Sequence, residues 1–478
     1  MQDYNTHTTP SADGANAADT ICAISTPHGT GGIAVVRVSG PQAATIVARR
    51  WQGADITTMR SHTAHLGTVT GSDGQPLDQV VLTLFRAPHS FTGEDVIELS
   101  CHGSMWIQRQ LVLSLIDAGC RAATGGEFTQ RAFGNGRLDL SQAEAVADLI
   151  AAQSRAAHRV AINQMRGAFS RLLSQLRGQL LQFVSLIELE LDFSEEDVTF
   201  ADRSRLLHLA QSIRGVIGRL TASYSSGNVI KNGLPVAIVG QTNAGKSTLL
   251  NLLLHDDRAL VSNIHGTTRD VIEDTITLGG TLFRFIDTAG IRHTHDTIEA
   301  MGIERTFKKI NEAQLVLWLI DGTNPPQHLA QLSTEILPHT AGKQLIAVVN
   351  KDDCLNDEQR QAITNTLTQL LPPDAQHIFI SAKQQTALTQ LQNMLIEAAA
   401  LPEADESQVI VTNARHYQAL TRAQQALQRA IQGLTDGLSG DFVSQDIREA
   451  MHYLGEITGE ITTHDILGNI FSRFCIGK

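Results

Sequence analysis

The chain has 478 residues, of which 42% are apolar and 18% charged, so it is too long for one compact domain and too apolar for a disordered protein. Its net charge of −12 argues against a surface built for non-specific nucleic-acid binding. No apolar run approaches the roughly 18 residues of a membrane-spanning helix, so we expect no integral membrane protein. The five cysteines show no C-x-x-C spacing, which favours a reducing, cytoplasmic setting over a disulfide or zinc framework.

The first part of the chain predicts a small α+β domain. Residues 1–19 are polar and contain Gly, Pro and Asn, so we predict a disordered extension there. Over residues 20–138, short β-branched segments alternate with turn residues, and one helix is predicted from roughly Met105 to Ala118.

The remainder predicts an α/β domain inserted into an all-α domain. Over residues 139–230, apolar side chains recur at helical spacing and proline is absent, which predicts long helices; residues 403–478 form a second helical part. Between them, residues 231–402 alternate buried strands with helical sequence, a pattern typical of a doubly wound, mainly parallel sheet. The predicted fold class is therefore multidomain α/β.

One loop of the inserted domain matches the phosphate-binding pattern G-x-x-x-x-G-K-[ST]. It runs from Gly240 to Ser247, after the strand PVAIV and before the helix STLLNLLL, which is the context that the motif requires. Its backbone N–H groups can surround a phosphate at a helix N-terminus. Lys246 supplies a positive charge to the β- and γ-phosphates, and the Ser247 hydroxyl can bind Mg²⁺. A chance Gly-rich turn is the alternative.

Three further motifs follow strands in the order found in GTPases: DTAG at 287–290, NKDD at 350–353 and SAK at 381–383. The carboxylate of Asp353 can accept hydrogen bonds from guanine N1–H and the exocyclic amine, a pair that adenine does not present. Together the four motifs resemble those of the translation-factor-like GTPase superfamily. The predicted GTP-binding residues are Asn243, Ala244, Gly245, Lys246, Ser247, Thr248, Ser262, Asn263, Ile264, His265, Gly266, Thr267, Thr268, Asp287, Thr288, Ala289, Gly290, Asn350, Lys351, Asp353, Ser381, Ala382 and Lys383.

Two features resemble those of cation-activated GTPases: Asn243 in the phosphate loop, and Ile291 where Ras-like enzymes carry a water-orienting Gln. The resemblance implies K⁺ beside the phosphates, where it can neutralise charge. The implied K⁺ ligands are Asn243, Ser262, Ile264 and Thr267, and the implied Mg²⁺ ligands are Ser247 and Thr268. Glu299 matches the water-orienting acid of that group; an ordinary solvated helix residue is the alternative.

The tail Phe474-Cys475-Ile476-Gly477-Lys478, together with stretches such as SFTGEDVIEL and LGEITGE, resembles the tRNA-modification GTPase family of the MnmE/TrmE type. The resemblance covers the chain from about Thr20 onwards. It implies a homodimer formed through the N-terminal domain. It also implies addition of an aminomethyl or carboxymethylaminomethyl group to C5 of the wobble uridine of certain tRNAs. The implied partner is an FAD- and NADH-dependent protein of the MnmG/GidA type, with two copies of each chain.

The same resemblance implies that the N-terminal domain binds 5-formyl-tetrahydrofolate or a related folate through Arg37, Glu98, Arg137 and Lys478. Arg and Lys suit the carboxylates of folate, and Glu98 suits the amidine edge of the pterin. We expect the tail to reach this pocket across a dimer interface, with Cys475 as a catalytic residue near the one-carbon unit. The alternatives are a surface role for Arg37, a salt bridge for Glu98 and simple apolar packing for Cys475.

Two other functions remain open from the sequence. A ribosome-assembly or other RNA-binding GTPase would carry a basic RNA-binding module, whereas the helical C-terminal segment contains several acidic residues. A non-catalytic folate-sensing switch would bind GTP and folate without acting on tRNA.

Overall fold

The computed structural model describes residues 19–192, 203–257, 274–286, 310–399, 409–462 and 464–472, together with Phe474 and Gly477. All but Asp19 of the predicted N-terminal extension lies outside these residues. Backbone contacts divide the described chain into two compact units. The first unit takes its residues from 1–147, 163–214 and 422–478, and the second from 148–162 and 215–421.

The first unit contains a sheet of seven strands in the order β3-β4-β5-β6-β2-β1-β7. The strands are β1 (Ile21–Ile24), β2 (Ile33–Ser39), β3 (Trp51–Gln52), β4 (Thr63–Thr70), β5 (Pro76–Phe85), β6 (Val96–His102) and β7 (Arg121–Ala122). Strands β1 and β7 pair in parallel, and the other neighbours are antiparallel. The β-branched segments of this region form strands, as predicted; β3 and β7 are too short to produce a periodic pattern.

Alternation along the strands places the larger apolar cluster of this unit on one face of the sheet. Val36, Leu82 and Leu99 are fully buried and belong to one apolar cluster that includes residues of helices α1 (Ala43–Ala48) and α2 (Met105–Asp117). Helix α2 confirms the predicted helix. Residues between these positions, including Arg37 and Glu98, project from the opposite face because successive strand side chains point to opposite sides. Helix α3 (Glu127–Gly134) follows β7 and was not predicted.

Long helices follow, as the spacing of apolar residues predicts. They are α4 (Leu140–Ala151), α5 (Arg155–Met165), α6 (Ala168–Asp192), α7 (Arg203–Ala222) and α8 (Tyr224–Asn232). In α6, Leu173, Leu176, Leu180 and Phe183 are buried at intervals of three and four residues, which places them on one face.

The second unit contains the predicted doubly wound sheet, in the order β13-β12-β11-β8-β10-β9. The strands are β8 (Leu234–Gly240), β9 (Asp274–Leu278), β10 (Thr281–Phe285), β11 (Leu315–Asp321), β12 (Gln344–Asn350) and β13 (Gln376–Phe379). All neighbours pair in parallel except the edge strand β9, which is antiparallel to β10 and was not predicted. Helices α9 (Lys246–Asp257), α10 (Pro326–Ile336), α11 (Asp357–Leu370) and α12 (Leu388–Ala399) alternate with the strands.

Apolar clusters cover both faces of this sheet. One contains Leu249 and Leu391 from helices α9 and α12, and the other contains Leu329 and Ile363 from α10 and α11. Two covered faces explain why these strands read as continuous apolar runs. The prediction of a GTPase-type α/β domain inserted between helical segments is confirmed.

The helical sequence resumes after the second unit's sheet. Its helices are α13 (Ala414–Thr435), α14 (Gly440–Thr458) and α15 (His464–Phe471). Helix α14 packs along α6 within the first unit, so helices from both ends of the sequence share one core. Among the described residues, no helix combines the length and apolar character needed to cross a bilayer.

Candidate functional site

The phosphate loop joins the carboxyl end of β8 to the first residue of α9. Strand β8 ends at Gly240 and α9 begins at Lys246, so the loop's backbone lies at a helix N-terminus, where anions are favoured. The Lys246 ammonium donates to the carbonyl oxygens of Gly240 at 2.6 Å and Gln241 at 2.7 Å. These bonds hold its positive charge against the loop.

Asn350 joins three of the predicted motifs. Its side-chain amide donates to the carbonyl oxygen of Ala244 at 2.8 Å, and its side-chain oxygen accepts from the N–H of Ala382 at 3.0 Å. The residue is only 4% exposed, so both bonds are shielded from water. The structure thus brings the phosphate loop, the NKDD segment and the SAK segment together.

Asp353 lies at the surface beside the same cluster. The Ser381 hydroxyl donates to its carboxylate at 2.6 Å. This hydrogen bond, with a smaller contribution from the positive charge of Lys383, holds the pKa of Asp353 below its ordinary value. The carboxylate therefore stays ionised at neutral pH and accepts hydrogen bonds without donating one.

Lys351 is held by a residue that the sequence analysis missed. The Lys351 ammonium contacts the Asp321 carboxylate at 2.5 Å, and the Thr323 hydroxyl donates to the same carboxylate at 2.7 Å. Although burial raises the pKa of Asp321, these bonds hold it below its ordinary value. The available signal was an acid at the end of the apolar strand LVLWLID, next to the strand that ends in Asn350.

Asn243 is exposed at the tip of the phosphate loop with a φ of +66°, a left-handed conformation that Asn tolerates better than most residues. The other predicted switch and catalytic residues of this domain lie outside the described part of the chain. They are Ser262, Asn263, Ile264, His265, Gly266, Thr267, Thr268, Asp287, Thr288, Ala289, Gly290 and Glu299.

In the first unit, Arg37 and Glu98 face each other across β2 and β6. The Arg37 Nε and one terminal nitrogen lie 2.9 and 2.8 Å from the same Glu98 oxygen. The Arg37 guanidinium carbon also lies 5.4 Å from the centre of the Phe91 ring and 5.6 Å from that of Phe128. Two aromatic rings and a carboxylate therefore fix the guanidinium.

Arg137 contacts the loop that carries Phe91. A β-carbon added at Gly93 would lie 3.1 Å from the Arg137 Cγ. The side-chain amide of Asn135 donates to the carbonyl oxygen of Thr92 at 2.8 Å. The loop over residues 91–93 thus touches Arg37 at one end and Arg137 at the other, and it brings two predicted folate residues into one neighbourhood.

The sequence analysis also missed a buried ionic network next to this loop. Glu127, 3% exposed, contacts Arg121 at 2.5 Å and Arg131 at 3.1 Å, and Arg131 contacts Glu94 at 3.1 Å. Although burial raises the pKa of Glu127, the hydrogen bonds from Arg121, Thr124 and Arg131 hold it at about 2. The i,i+4 spacing of Glu127 and Arg131 was the available local signal, but helix α3 was not predicted, and Arg121 and Glu94 come from outside that helix.

The described residues of the C-terminal tail lie on the chain's own first unit. The Ser25 hydroxyl donates to the Gly477 carbonyl oxygen at 3.1 Å, and Phe474 is buried beside Phe471. Both contacts are made within the one chain described, and the reach of the tail across a dimer interface stays a prediction. Cys475 and Lys478 lie outside the described residues.

Two family models match the chain. The model described as "MnmE helical domain" matches residues 140–475, and the model described as "GTP-binding protein TrmE N-terminus" matches residues 20–137.

Curated relatives match over nearly the whole chain. The tRNA modification GTPase MnmE of Bacteroides fragilis is 55% identical over 96% of this chain and 99% of its own. The proteins of the same name from Bacteroides thetaiotaomicron and Flavobacterium johnsoniae are 54% and 49% identical, again over 96% of this chain and 99% of their own.

Solved structures are similar over a smaller part. A variant of Era from Aquifex aeolicus bound to GDP and AlF4⁻ is 25% identical, with a TM-score of 0.28, over 40% of this chain and 66% of that one. A GTP-binding protein from Sulfolobus solfataricus in complex with GDP is 19% identical, with a TM-score of 0.27, over 47% and 66% of the respective chains. On the family models and the full-length relatives, the chain belongs to the MnmE family of tRNA modification GTPases.

Proposed function

We propose that this protein is a K⁺-activated GTPase that modifies C5 of the wobble uridine of certain tRNAs in the cytoplasm. It adds an aminomethyl or carboxymethylaminomethyl group, using a one-carbon unit from a tetrahydrofolate. The GTPase assignment rests on the Asn350 side chain, which forms hydrogen bonds to Ala244 in the phosphate loop and to Ala382 in the SAK segment. Family membership favours tRNA as the substrate over a ribosome-assembly role.

The residues around Asn350 bind GTP at two ends, one for the phosphates and one for the base. The loop from Asn243 to Thr248 and the Lys246 ammonium take the phosphates, and Ser247 with Thr268 would hold Mg²⁺, which would supply positive charge beside them. Asp353 selects guanine over adenine, since its ionised carboxylate accepts from two neighbouring donors of guanine. Lys351, Ser381 and Lys383 complete the base side.

Hydrolysis depends on K⁺ and on an acidic residue. Asn243 and the switch residues Ser262, Ile264 and Thr267 would hold K⁺, which would supply positive charge beside the phosphates during hydrolysis. Glu299 orients the attacking water. Its replacement by Ala should slow turnover about 10²–10⁴-fold with little change in GTP affinity, because an orienting group acts mainly in the transition state.

The folate site lies on the face of the first unit's sheet that carries Arg37 and Glu98, opposite the face that carries Val36 and Leu99. Arg37 and Arg137 attract the folate carboxylates, and Glu98 accepts from the pterin. Lys478 adds a charge from the tail, and Cys475 lies near the one-carbon unit. The Arg37–Glu98 ion pair supports this assignment because it presents both charges on one face of the sheet, beside the Phe91 ring.

The proposed assembly contains two copies of this chain, joined through the N-terminal domain, and two copies of an FAD- and NADH-dependent flavoprotein of the MnmG/GidA type. The flavin and nicotinamide of that partner supply the redox chemistry. This chain supplies GTP hydrolysis, the folate and the docking of tRNA.

Turnover in matched K⁺ and Na⁺ buffers tests the proposed GTPase mechanism. Purified protein should hydrolyse GTP much faster in K⁺, with Mg²⁺ present in both buffers. Equal rates in the two buffers would show that K⁺ takes no part in the mechanism.

Binding of 5-formyl-tetrahydrofolate to Arg37→Ala tests the proposed folate site. Loss of folate binding in this variant, with unchanged GTP turnover, would support the site, and unchanged folate binding would refute it.

A further inference from the structure

The first side chain of the phosphate loop is held from outside the loop. Gln241 directly follows Gly240, and its side-chain oxygen accepts from the Asn324 amide at 3.1 Å. Its side-chain nitrogen lies 2.6 Å from Nε2 of His328. Neither Asn324 nor His328 belongs to one of the four GTPase motifs. The loop is therefore fastened at its first side chain to the turn after β11 and to helix α10.

The clamp formed by Gln241, Asn324 and His328 requires a neutral imidazole. Because the Gln241 oxygen accepts from Asn324, its amide nitrogen is left to donate, and Nε2 of His328 accepts. The imidazole proton then lies on Nδ1. A protonated His328 would turn a second N–H toward the Gln241 amide nitrogen and break the bond. His328 therefore acts here as an uncharged acceptor.

The chain holds Asn324 and His328 at a fixed spacing. Pro325 and Pro326 separate Asn324 from the rest of α10, and the φ of Pro325 is −60°, as its ring requires. The His328 N–H donates to the Pro325 carbonyl oxygen at 3.0 Å, which closes the first turn of the helix. Both partners of Gln241 thus come from one stiff junction between β11 and α10.

The backbone of Gln241 in turn contacts the phosphate-binding lysine. The Lys246 ammonium donates to the carbonyl oxygens of Gln241 at 2.7 Å and Gly240 at 2.6 Å. A rotation of the Gln241 backbone would move the first of these acceptors. By fixing the Gln241 side chain, the clamp limits that rotation and keeps the acceptors of Lys246 in place.

The same turn also reaches the base side of the site. The Asn324 N–H donates to the Asp321 carbonyl oxygen at 3.1 Å, and the Asp321 carboxylate contacts Lys351 at 2.5 Å. The lysines of the phosphate loop and of the NKDD segment are therefore connected through Gln241 and this turn. This connection is separate from the one that Asn350 makes.

We infer that His328 is a positioning residue for nucleotide binding: it accepts from Gln241, which holds the acceptors of Lys246, and so raises the affinity for GTP and GDP without touching either. The inference rests on the proposed role of Lys246. Because the clamp orders the loop before the nucleotide arrives, binding need not order it, which would cost affinity. The inference assigns a function to helix α10, which carries none of the four motifs.

Substitutions at His328 separate its acceptor from its shape. Leu fills a similar volume without an acceptor, whereas the side-chain oxygen of Gln can take the place of Nε2. Equilibrium titration of the full chain with the fluorescent nucleotide N-methylanthraniloyl-GDP measures the affinity. His328→Leu should bind about two- to tenfold more weakly, the usual size for one hydrogen bond. His328→Gln should bind like the wild type.

A double-mutant cycle tests whether His328 acts through Gln241. Gln241→Leu should itself weaken binding, and adding His328→Leu should cause no further loss, because the acceptor then has no donor. The matched control is His377→Leu, the same substitution on the edge strand β13, which should leave the affinity unchanged. The inference is overturned by wild-type affinity in either single Leu variant of the clamp. Equal weakening in His328→Leu and His328→Gln, or losses that multiply in the double variant, would also overturn it.

Lys246→Ala separates this inference from the proposed phosphate site. If Lys246→Ala binds N-methylanthraniloyl-GDP as tightly as the wild type does, the proposed role of Lys246 fails, and the inference fails with it. If Lys246→Ala binds more weakly while His328→Leu does not, the phosphate site stands and only the role of His328 is refuted.

Discussion

At the residue scale, base selection rests on the ionised carboxylate of Asp353. Asp353→Asn should weaken GTP binding and admit xanthosine triphosphate, because the amide presents a donor where the carboxylate only accepts. Dissociation constants for both nucleotides measure the change. The matched control is Asp352→Asn, which changes the neighbouring acid that contacts Arg360. Unaltered GTP affinity in Asp353→Asn would show that the base is read elsewhere.

Ser381 should set the pH range of this selection. Its hydrogen bond lowers the pKa of Asp353, so base recognition is present above that lowered pKa and is lost as the pH falls through it. Ser381→Ala removes the bond and moves the pKa back toward its ordinary value, so GTP affinity should begin to fall at a higher pH. At neutral pH the loss should be about two- to tenfold, the usual size for one hydrogen bond.

Titration of GTP affinity from acid to neutral pH checks this in wild type, Ser381→Ala and Asp353→Asn. The pH profile should shift in Ser381→Ala. Adding Ser381→Ala to Asp353→Asn should produce no further shift, since the titrating group is gone. If the pH profile of GTP affinity in Ser381→Ala matches that of the wild type, the Ser381 hydrogen bond does not lower the pKa of Asp353.

Asn243 should determine the response to K⁺. Two replacements separate its amide from its backbone: Gly adopts the φ of +66° freely, whereas Ala is strained there by about 1–2 kcal/mol. Both Asn243→Gly and Asn243→Ala should lose K⁺ stimulation and keep nucleotide binding, since Lys246 and Asp353 remain. Stimulation that survives in Asn243→Gly would assign K⁺ binding to other residues.

The sequence could predict site residues that belong to short, continuous motifs. The phosphate loop, the NKDD segment and the SAK segment were placed from their residue patterns and the strands that precede them, and the structure brings them together around Asn350. Long-range pairs were not predictable. The contact between Arg37 and Glu98 depends on the register of β2 against β6, and that between Asp321 and Lys351 on two neighbouring strand ends.

At the element scale, the network around Glu127 ties α3 to the strands and loop behind the folate site. A carboxyl pKa lowered from 4.5 to about 2 corresponds to about 3 kcal/mol of stability. A lowered pKa stabilises the fold above the unfolded value. That stability should therefore be complete above about pH 4.5 and disappear as the pH falls toward 2.

Glu127→Gln should therefore lower the free energy of unfolding of the first unit at pH 7, and the deficit should shrink below pH 4.5. Urea unfolding at several pH values measures it. The control Glu449→Gln removes an exposed partner of Arg429 in the same unit, where ion pairs contribute about 0–1 kcal/mol. A deficit in Glu127→Gln no larger than the control's would show that the network is not stabilising.

Element prediction succeeded where the apolar pattern was long or continuous. The buried strands β8, β11 and β12 and the long helix α6 each give such a pattern. The strands that were not predicted are short or lie at the edge of a sheet. Strands β3 and β7 have two residues each, and the edge strand β9, DTITL, mixes polar and apolar residues. Pairing with a neighbour, rather than local sequence, forms these strands.

At the scale of the whole molecule, sequence order and spatial grouping differ. Helix α14 packs on α6 although residues 215–421 of the second unit, which carry the GTP-binding motifs, lie between them in sequence, and this agrees with the insertion predicted from the two helical segments. The domain limits 20–138, 139–230, 231–402 and 403–478 remain proposals. The first and second units carry the proposed folate and GTP sites respectively.

The most direct test of the central proposal is the wobble-nucleoside composition of tRNA, measured by mass spectrometry in a strain that lacks this gene. The strain is complemented with wild type, with Lys246→Ala, or with a protein that lacks residues 475–478. We expect only wild type to restore the C5-modified uridine, although the truncated protein should hydrolyse GTP normally, since its GTP-binding unit is intact. Modified uridine in the uncomplemented strain would contradict the proposed function, and its restoration by the truncated protein would contradict the role of the tail.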